Sequence, residues 1–216
     1  MEIFNFAQRS EEWYNIRLGV LSASDAATIA ANGSGLETLC LKKALELVTH
    51  KRQDEYSNED IERGIELEEE ARSLYQIQRN IEVKTVGFIK IDALIGCSPD
   101  GLVREEGLVE FKCRNNLNHF KRILGYPIDR EHQAQMQMQL LVTDRKWVDY
   151  VCYNRNFELE KQLVVERVHR NDKIIEAISK GLERGTYLIN KHLVQYRGKA
   201  NETIKKTNDC SREIHV

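Results

Sequence analysis

The first third of the chain carries apolar residues at helical spacing. Ser10 reads as an N-cap, with Glu11 and Glu12 in the first turn of a short helix expected through Arg17. Ser24–Asp25 marks the start of a second helix. Leu36, Leu39, Leu41, Leu45 and Val48 predict a third over 36–48. Asn58 then precedes a long helix reaching about Arg79. Its apolar stripe is Ile61, Gly64, Ile65, Leu67, Ala71, Leu74 and Tyr75, with Glu68 beside it and Glu62, Glu66, Glu69 and Glu70 on a solvated face. The period changes after residue 80. Segments 81–91, 94–103 and 107–113 read as a meander of strands, the last two joined by a tight polar turn. A helix over 130–142, strands over 146–153 and 158–168, and an amphipathic helix from Asn171 to about Gln195 complete the pattern. This order predicts an α/β fold, a mixed central sheet flanked by helices, as a single domain over 1–196. A polar, flexible tail is expected over 197–216.

Composition narrows the setting. With 41% hydrophobic and 31% charged residues in 216, the chain has the make-up of a soluble globular protein. No apolar run approaches the ~18–20 residues of a membrane span, and MEIFNFAQRSEEW lacks the features of a signal peptide. Cys40, Cys97, Cys113, Cys152 and Cys210 are odd in number and scattered. They argue against a disulfide framework or structural zinc, and for a cytoplasmic location. The net charge of −2 leaves nucleic acid undecided, because basic residues can line one groove while acidic ones serve metals and the outer surface.

The chemistry concentrates in two short strings. On the strand 108–113, alternation puts Glu110 and Lys112 on one face and Val109, Phe111 and Cys113 on the other. A carboxylate and an ammonium on an interior strand cost free energy unless they pair or hold a metal. Asp100, in Ser98-Pro99-Asp100-Gly101, lies on the preceding arm of the same hairpin, and the turn at Glu105 and Glu106 returns it beside Glu110. Two carboxylates so placed favour a shared Mg²⁺ or Mn²⁺. In the helix HQAQMQMQLL, Gln137 has Gln133, Ala134, Leu140 and Leu141 as its ±3 and ±4 neighbours, so it is expected to face inward; Gln135 and Gln139 sit among polar neighbours. An inward amide needs a partner. An active-site lysine, water or phosphate would serve, and so would a backbone group of the core.

SPDG followed by VEFKC resembles the PD-(D/E)XK nuclease motif. Trp13 to Gly19 with Ser22-Ala23-Ser24 resembles the W-x-x-x-R-x-G…S-A-S opening of the YqaJ group, which includes phage lambda exonuclease, and Gly64 to Ala71 is similar to that group's G-x-x-x-E-x-x-A helix. The resemblance covers roughly residues 10 to 145. It implies a magnesium-dependent exonuclease that digests duplex DNA 5′ to 3′ in phage-type recombination. Asp100, Glu110, Lys112, Glu68 and Gln137 would form the catalytic set, and Asp100, Glu110, Glu68 and the Phe111 carbonyl would hold two Mg²⁺ (or Mn²⁺). Arg17, Ser24 and Ser98 would bind phosphate. A ring-shaped homotrimer and a single-strand annealing protein as partner are implied as well. A restriction- or resolvase-type endonuclease and a non-catalytic DNA-binding module on a nuclease fold stand as alternatives.

Overall fold

The computed structural model describes residues 1–53 and 58–212, with the side chains of 58–65 and 200–212 outside the description. The placements expected for the Ile61, Glu62, Gly64 and Ile65 side chains therefore lie outside the described residues. In chain order the elements are β1 (Glu2–Phe4), α1 (Glu11–Ile16), β2 (Leu21–Ser22), a 3₁₀ turn (Ala23–Asp25), α2 (Ala26–Ala31), α3 (Ser34–Thr49), α4 (Asn58–Arg79), β3 (Val83–Lys84), β4 (Phe88–Asp92), β5 (Ile95–Cys97), β6 (Gly101–Val103), β7 (Gly107–Cys113), α5 (Asn116–Ile123), α6 (Arg130–Thr143), β8 (Trp147–Tyr153), β9 (Leu163–His169) and α7 (Asp172–Arg212).

The expected α/β architecture is present, but its strands divide between two sheets. One has the order β1-β4-β5-β2 and the other β3-β6-β7-β8-β9. Segment 81–91 contributes β3 to one and β4 to the other, and 94–103 splits in the same way. Ser98-Pro99-Asp100 is the second crossing. Proline has no N–H for a ladder, so pairing stops there and resumes at Gly101. In the larger sheet β7 and β8 run parallel, with Glu110 opposite Tyr150 and Lys112 opposite Cys152. The other pairs are antiparallel.

Strand alternation divides the core between the faces of that sheet. Leu108, Val148, Tyr150 and Val168 join a cluster with Ala134, Met138 and Leu140 of α6, Ile29 of α2, Leu36 and Cys40 of α3, and Ile178 and Leu182 of α7. Val109, Phe111, Val151 and Tyr153 form a second cluster with Ala71 and Tyr75 of α4. Tyr75 donates to Asp149 Oδ2 at 2.7 Å, and Arg167 forks onto the same carboxylate at 2.7 and 2.9 Å. This network, buried at Tyr75 and Asp149, ties α4, the helix that carries Glu68, to the sheet. Gly181 allows α7 to lie against α2, since a Cβ there would sit 2.0 Å from the Ile29 carbonyl oxygen.

Other departures have local causes. The buried stripe of α3 is Leu36, Cys40 and Ala44, whereas Leu41 and Leu45 are exposed. α5 escapes the apolar pattern because Leu117 and Phe120 point to solvent; its signal is Asn115, whose side chain accepts from Asn118 N–H at 2.9 Å. The last helix does not end near Gln195 but continues to Arg212, where a loose tail was expected. There is no proline between 196 and 212, so local backbone bonds carry the helix beyond Ile189, the last buried residue among the described side chains.

Candidate active site

β7 brings the first charges together. Glu110 is 2% exposed, and its Oε1 accepts from Lys112 Nζ at 2.7 Å and from Gln135 Nε2 at 2.7 Å. Its Oε2 accepts from Gln139 Nε2 at 2.6 Å. Lys112 also donates to Gln135 Oε1 at 3.2 Å. Burial alone would lower the lysine pKa, but the carboxylates of Glu110 and Asp100 outweigh it and raise it.

The hairpin returns Asp100 to this point. Its register ends at Gly101 opposite Val109, so beyond Val109 the β6 side of β7 is open. The Asp100 carboxylate takes up the slack, accepting from Phe111 N–H at 2.6 Å. A strand residue directs its N–H and C=O to the same side, so the Phe111 carbonyl faces the same opening. Asp100 and Glu68 line a cleft of about 320 Å³ with Arg9 and Arg72. Glu68 pairs with Arg72 at 2.8 Å and with Arg9 at 3.5 Å. Burial and then the negative charge of Glu110 and Glu68 push the Asp100 carboxyl well above the usual carboxylate range. Burial likewise raises Glu68, against the pull of Arg9 and Arg72.

Three mutually repelling carboxylates from three elements are an all-oxygen donor set of the kind Mg²⁺ or Mn²⁺ takes. Among the described residues no three acidic, histidine or cysteine side chains already surround one point, because Glu68 is drawn to its arginines and Glu110 to Lys112 and the glutamines. A carboxylate offers about four acceptor positions, so Glu110 keeps capacity beyond its three bonds. The residues fit a divalent cation.

A second cavity, about 160 Å³, is lined by Arg17, Ser22, Ser24, Lys43, Glu46 and Arg52 among others. Gly19 holds one lining residue, Glu46: its φ is +72°, a Cβ would meet Leu47 at 2.3 Å, and its N–H donates to Glu46 Oε2 at 3.0 Å. The Arg17 guanidinium stacks 4.0 Å from the Trp13 ring centroid and donates to Ser98 Oγ at 3.4 Å. Ser98 also accepts from Trp13 Nε1 at 2.9 Å. Ser24 is exposed, its hydroxyl 2.9 Å from that of Ser22. Ser22, not Ser24, is the cap of the turn. The structure thus brings Arg17 to Ser98 and sets Arg17 and Ser24 on one cavity.

Gln137 is the site residue the structure does not bring in. It does face inward, but Nε2 donates to the His169 carbonyl at 2.8 Å and Oε1 accepts from Asn171 N–H at 2.7 Å. It fastens the end of β9 to the start of α7. Gln135 and Gln139, set aside in the sequence for their polar neighbours, reach Glu110 instead. α6 is buried nearly all round, with Ala134, Met136, Gln137, Met138, Gln139 and Leu140 all inside. Apolar neighbours therefore cannot tell which face meets the sheet. The spacing His132, Gln135, Gln139 was the available signal, since positions i, i+3 and i+7 share one face.

That face continues to His132, opposite the next inward residue of the sheet edge, Arg114. Arg114 Nη2 lies 2.6 Å from Asp129 Oδ2, 2.7 Å from His132 Nδ1 and 3.2 Å from Tyr150 Oη. Burial, then the nearby cations Lys112 and Arg114, push His132 down to about 4. Among the described residues Cys40, Cys97, Cys113 and Cys152 are free thiols, and no helix is long and apolar enough to cross a membrane. Cys210 lies outside the described side chains.

The model of the YqaJ-like viral recombinase domain matches residues 12–146. Among solved structures the chain is similar to an alkaline exonuclease, LHK-Exo, from Laribacter hongkongensis, at 30% identity and a TM-score of 0.82, over 90% of this chain and 100% of that one. The same enzyme in complex with dAMP matches at 31% identity and a TM-score of 0.82, with the same coverage. A phage related exonuclease from Haemophilus somnus 129PT shares the fold, at 14% identity and a TM-score of 0.63 over 82% of this chain and 96% of that one. A search of curated proteins finds no match.

Proposed function

The chain belongs to the YqaJ-like viral recombinase domain family, and on that premise we propose that it is a metal-dependent DNA exonuclease of the recombinase type, digesting duplex DNA from 5′-phosphorylated ends in the 5′ to 3′ direction. One juxtaposition carries the reading. Arg17, which lines the 160 Å³ cavity, donates to Ser98, and Asp100, two residues on, bonds the strand that presents Glu110 and Lys112. A pocket suited to a chain end therefore adjoins a cutting centre. An endonuclease of the same superfamily does not need such a pocket. The similarity to an alkaline exonuclease supports the same choice.

Asp100, Glu110, Glu68 and the Phe111 carbonyl would hold Mg²⁺ or Mn²⁺, two ions per site, which would supply charge neutralisation at the phosphate and a lowered pKa of bound water. The chain's own residues do the positioning. Lys112 donates to the attacking water, Gln135 and Gln139 hold the Glu110 carboxylate in one orientation, and Arg17 with Ser24 and Ser98 receives the terminal phosphate through charge-assisted hydrogen bonds. A ring-shaped homotrimer fits a chain of net charge −2, whose weak nonspecific attraction to DNA would be offset by enclosing the duplex. A single-strand annealing protein is the expected partner, receiving the strand exposed by digestion.

The test is hydrolysis of linear duplexes carrying 5′-phosphate or 5′-hydroxyl ends, and of closed circular DNA, with Mg²⁺ and with EDTA. Faster loss of the 5′-phosphorylated strand, erased in Arg17→Ala, supports the reading. Cleavage of circles assigns an endonuclease, and binding without cleavage in any metal assigns a DNA-binding module.

A further inference from the structure

β7 and α6 face each other through two polar stripes. Glu110, Lys112 and Arg114 alternate inward along the strand direction, and Gln139, Gln135 and His132 follow along the helix. The first two members of each stripe belong to the reaction centre. The third pair does not, and its geometry suits a ligand.

Arg114 is held on all sides but one. Its N–H donates to the Tyr153 carbonyl at 3.2 Å, and its own carbonyl accepts from Asn154 Nδ2 at 2.9 Å. The side chain is only 22% exposed. Every hydrogen bond it makes among the described residues runs through Nη2, to Asp129, His132 and Tyr150. Nη1 and Nε have no partner there, yet neither is among the buried, unsatisfied atoms, so both reach solvent. With Nη2 committed to the protein, Nη1 and Nε stay free on opposite edges of the guanidinium, and each can donate a charge-assisted hydrogen bond to a phosphate oxygen. Residue 114 also borders a groove of about 520 Å³ whose walls include Glu66, Leu67, Tyr153 and Asn154, on the α4 side of the sheet. Two strand residues advance about 6.6 Å, the length of one nucleotide step, so Arg114 stands one step from Lys112.

We propose that Arg114, oriented by Asp129, His132 and Tyr150, binds the backbone phosphate next to the scissile one on the digested strand. The assignment rests on the exonuclease reading.

The experiment uses duplexes with one neutral methylphosphonate linkage placed in turn at each of the first several positions of the 5′ strand. Binding is measured by fluorescence anisotropy in Ca²⁺, and digestion in Mg²⁺, for wild type, Arg114→Ala and Arg114→Lys. The wild type should lose about tenfold in affinity at a linkage adjacent to the cleaved one, as for a lost charged hydrogen bond. Arg114→Ala should start about tenfold weaker and lose nothing further at that linkage. Its plot of log K against log salt should be shallower by about 0.9. Arg114→Lys should keep the salt slope but recover only part of the affinity. An Arg114→Ala protein with wild-type affinity, or one that still loses affinity at that linkage, overturns the proposal, as does a wild type indifferent to every neutral linkage. The binding arm needs no cleavage, so failure to digest DNA counts against the exonuclease reading and leaves the Arg114 question decided by anisotropy.

Discussion

Replacing Gln135 and Gln137 separately with Met divides catalysis from stability on a single helix. Gln135 contributes a 2.7 Å hydrogen bond to the Glu110 carboxylate and accepts one from Lys112 at 3.2 Å. A bond to a charged group is worth about 1.5–3 kcal/mol. If that orientation matters only as the substrate reacts, its loss appears as a fall of about 10- to 150-fold in the single-turnover rate, at ~1.4 kcal/mol per tenfold. Folding should hardly change, because Glu110 keeps Lys112 and Gln139. Gln137→Met is the mirror case. It deprives the His169 carbonyl and the Asn171 N–H of their partner in an interior where Gln137 is 1% exposed. Two stranded neutral groups cost about 2–6 kcal/mol of stability, with the rate per folded molecule changed less than about twofold. Urea unfolding gives the first number and single-turnover digestion of a 5′-phosphorylated duplex at saturating enzyme gives the second. A Gln135→Met enzyme at full rate, or a Gln137→Met enzyme stable but slow, would refute the assignment of the two glutamines.

Asp100→Asn should abolish cleavage yet raise the melting temperature in EDTA, because it removes one of the mutually repelling carboxylates while the amide oxygen can still accept from Phe111 N–H; calorimetry with and without Mg²⁺ reads both effects. His132, held down to about 4 from 6.5 by burial, takes up a proton more readily when unfolded. Its contribution should therefore erode stability as pH falls from about 6.5 toward 4, and His132→Gln should flatten melting temperature against pH in that window. Light scattering at micromolar concentration should give about three times 25.1 kDa; a monomer that still digests long duplexes without dissociating removes the ring.

The sequence by itself determined which charges the candidate site brings together on β7 and most of the elements. Alternation on one seven-residue strand was enough to put Glu110 and Lys112 together, and a hairpin of known turn length was enough to return Asp100, since both are consequences of strand geometry within a few residues. Ser10, capping α1 through Trp13 N–H at 3.3 Å, was legible for the same reason. The tertiary structure decided what depends on partners distant along the chain. Pro99 breaks one apparent strand, but which sheet each half joins is set by pairing of β5 with β4 and β2 and of β6 with β3 and β7. Arg17 meets Ser98 across 81 residues, an approach no local pattern encodes. The choice among Gln135, Gln137 and Gln139 lay beyond sequence because α6 is enclosed on nearly every side. A helix buried all round has lost the polar–apolar contrast that marks its faces, and only the position of the sheet beside it says which glutamines reach the carboxylate.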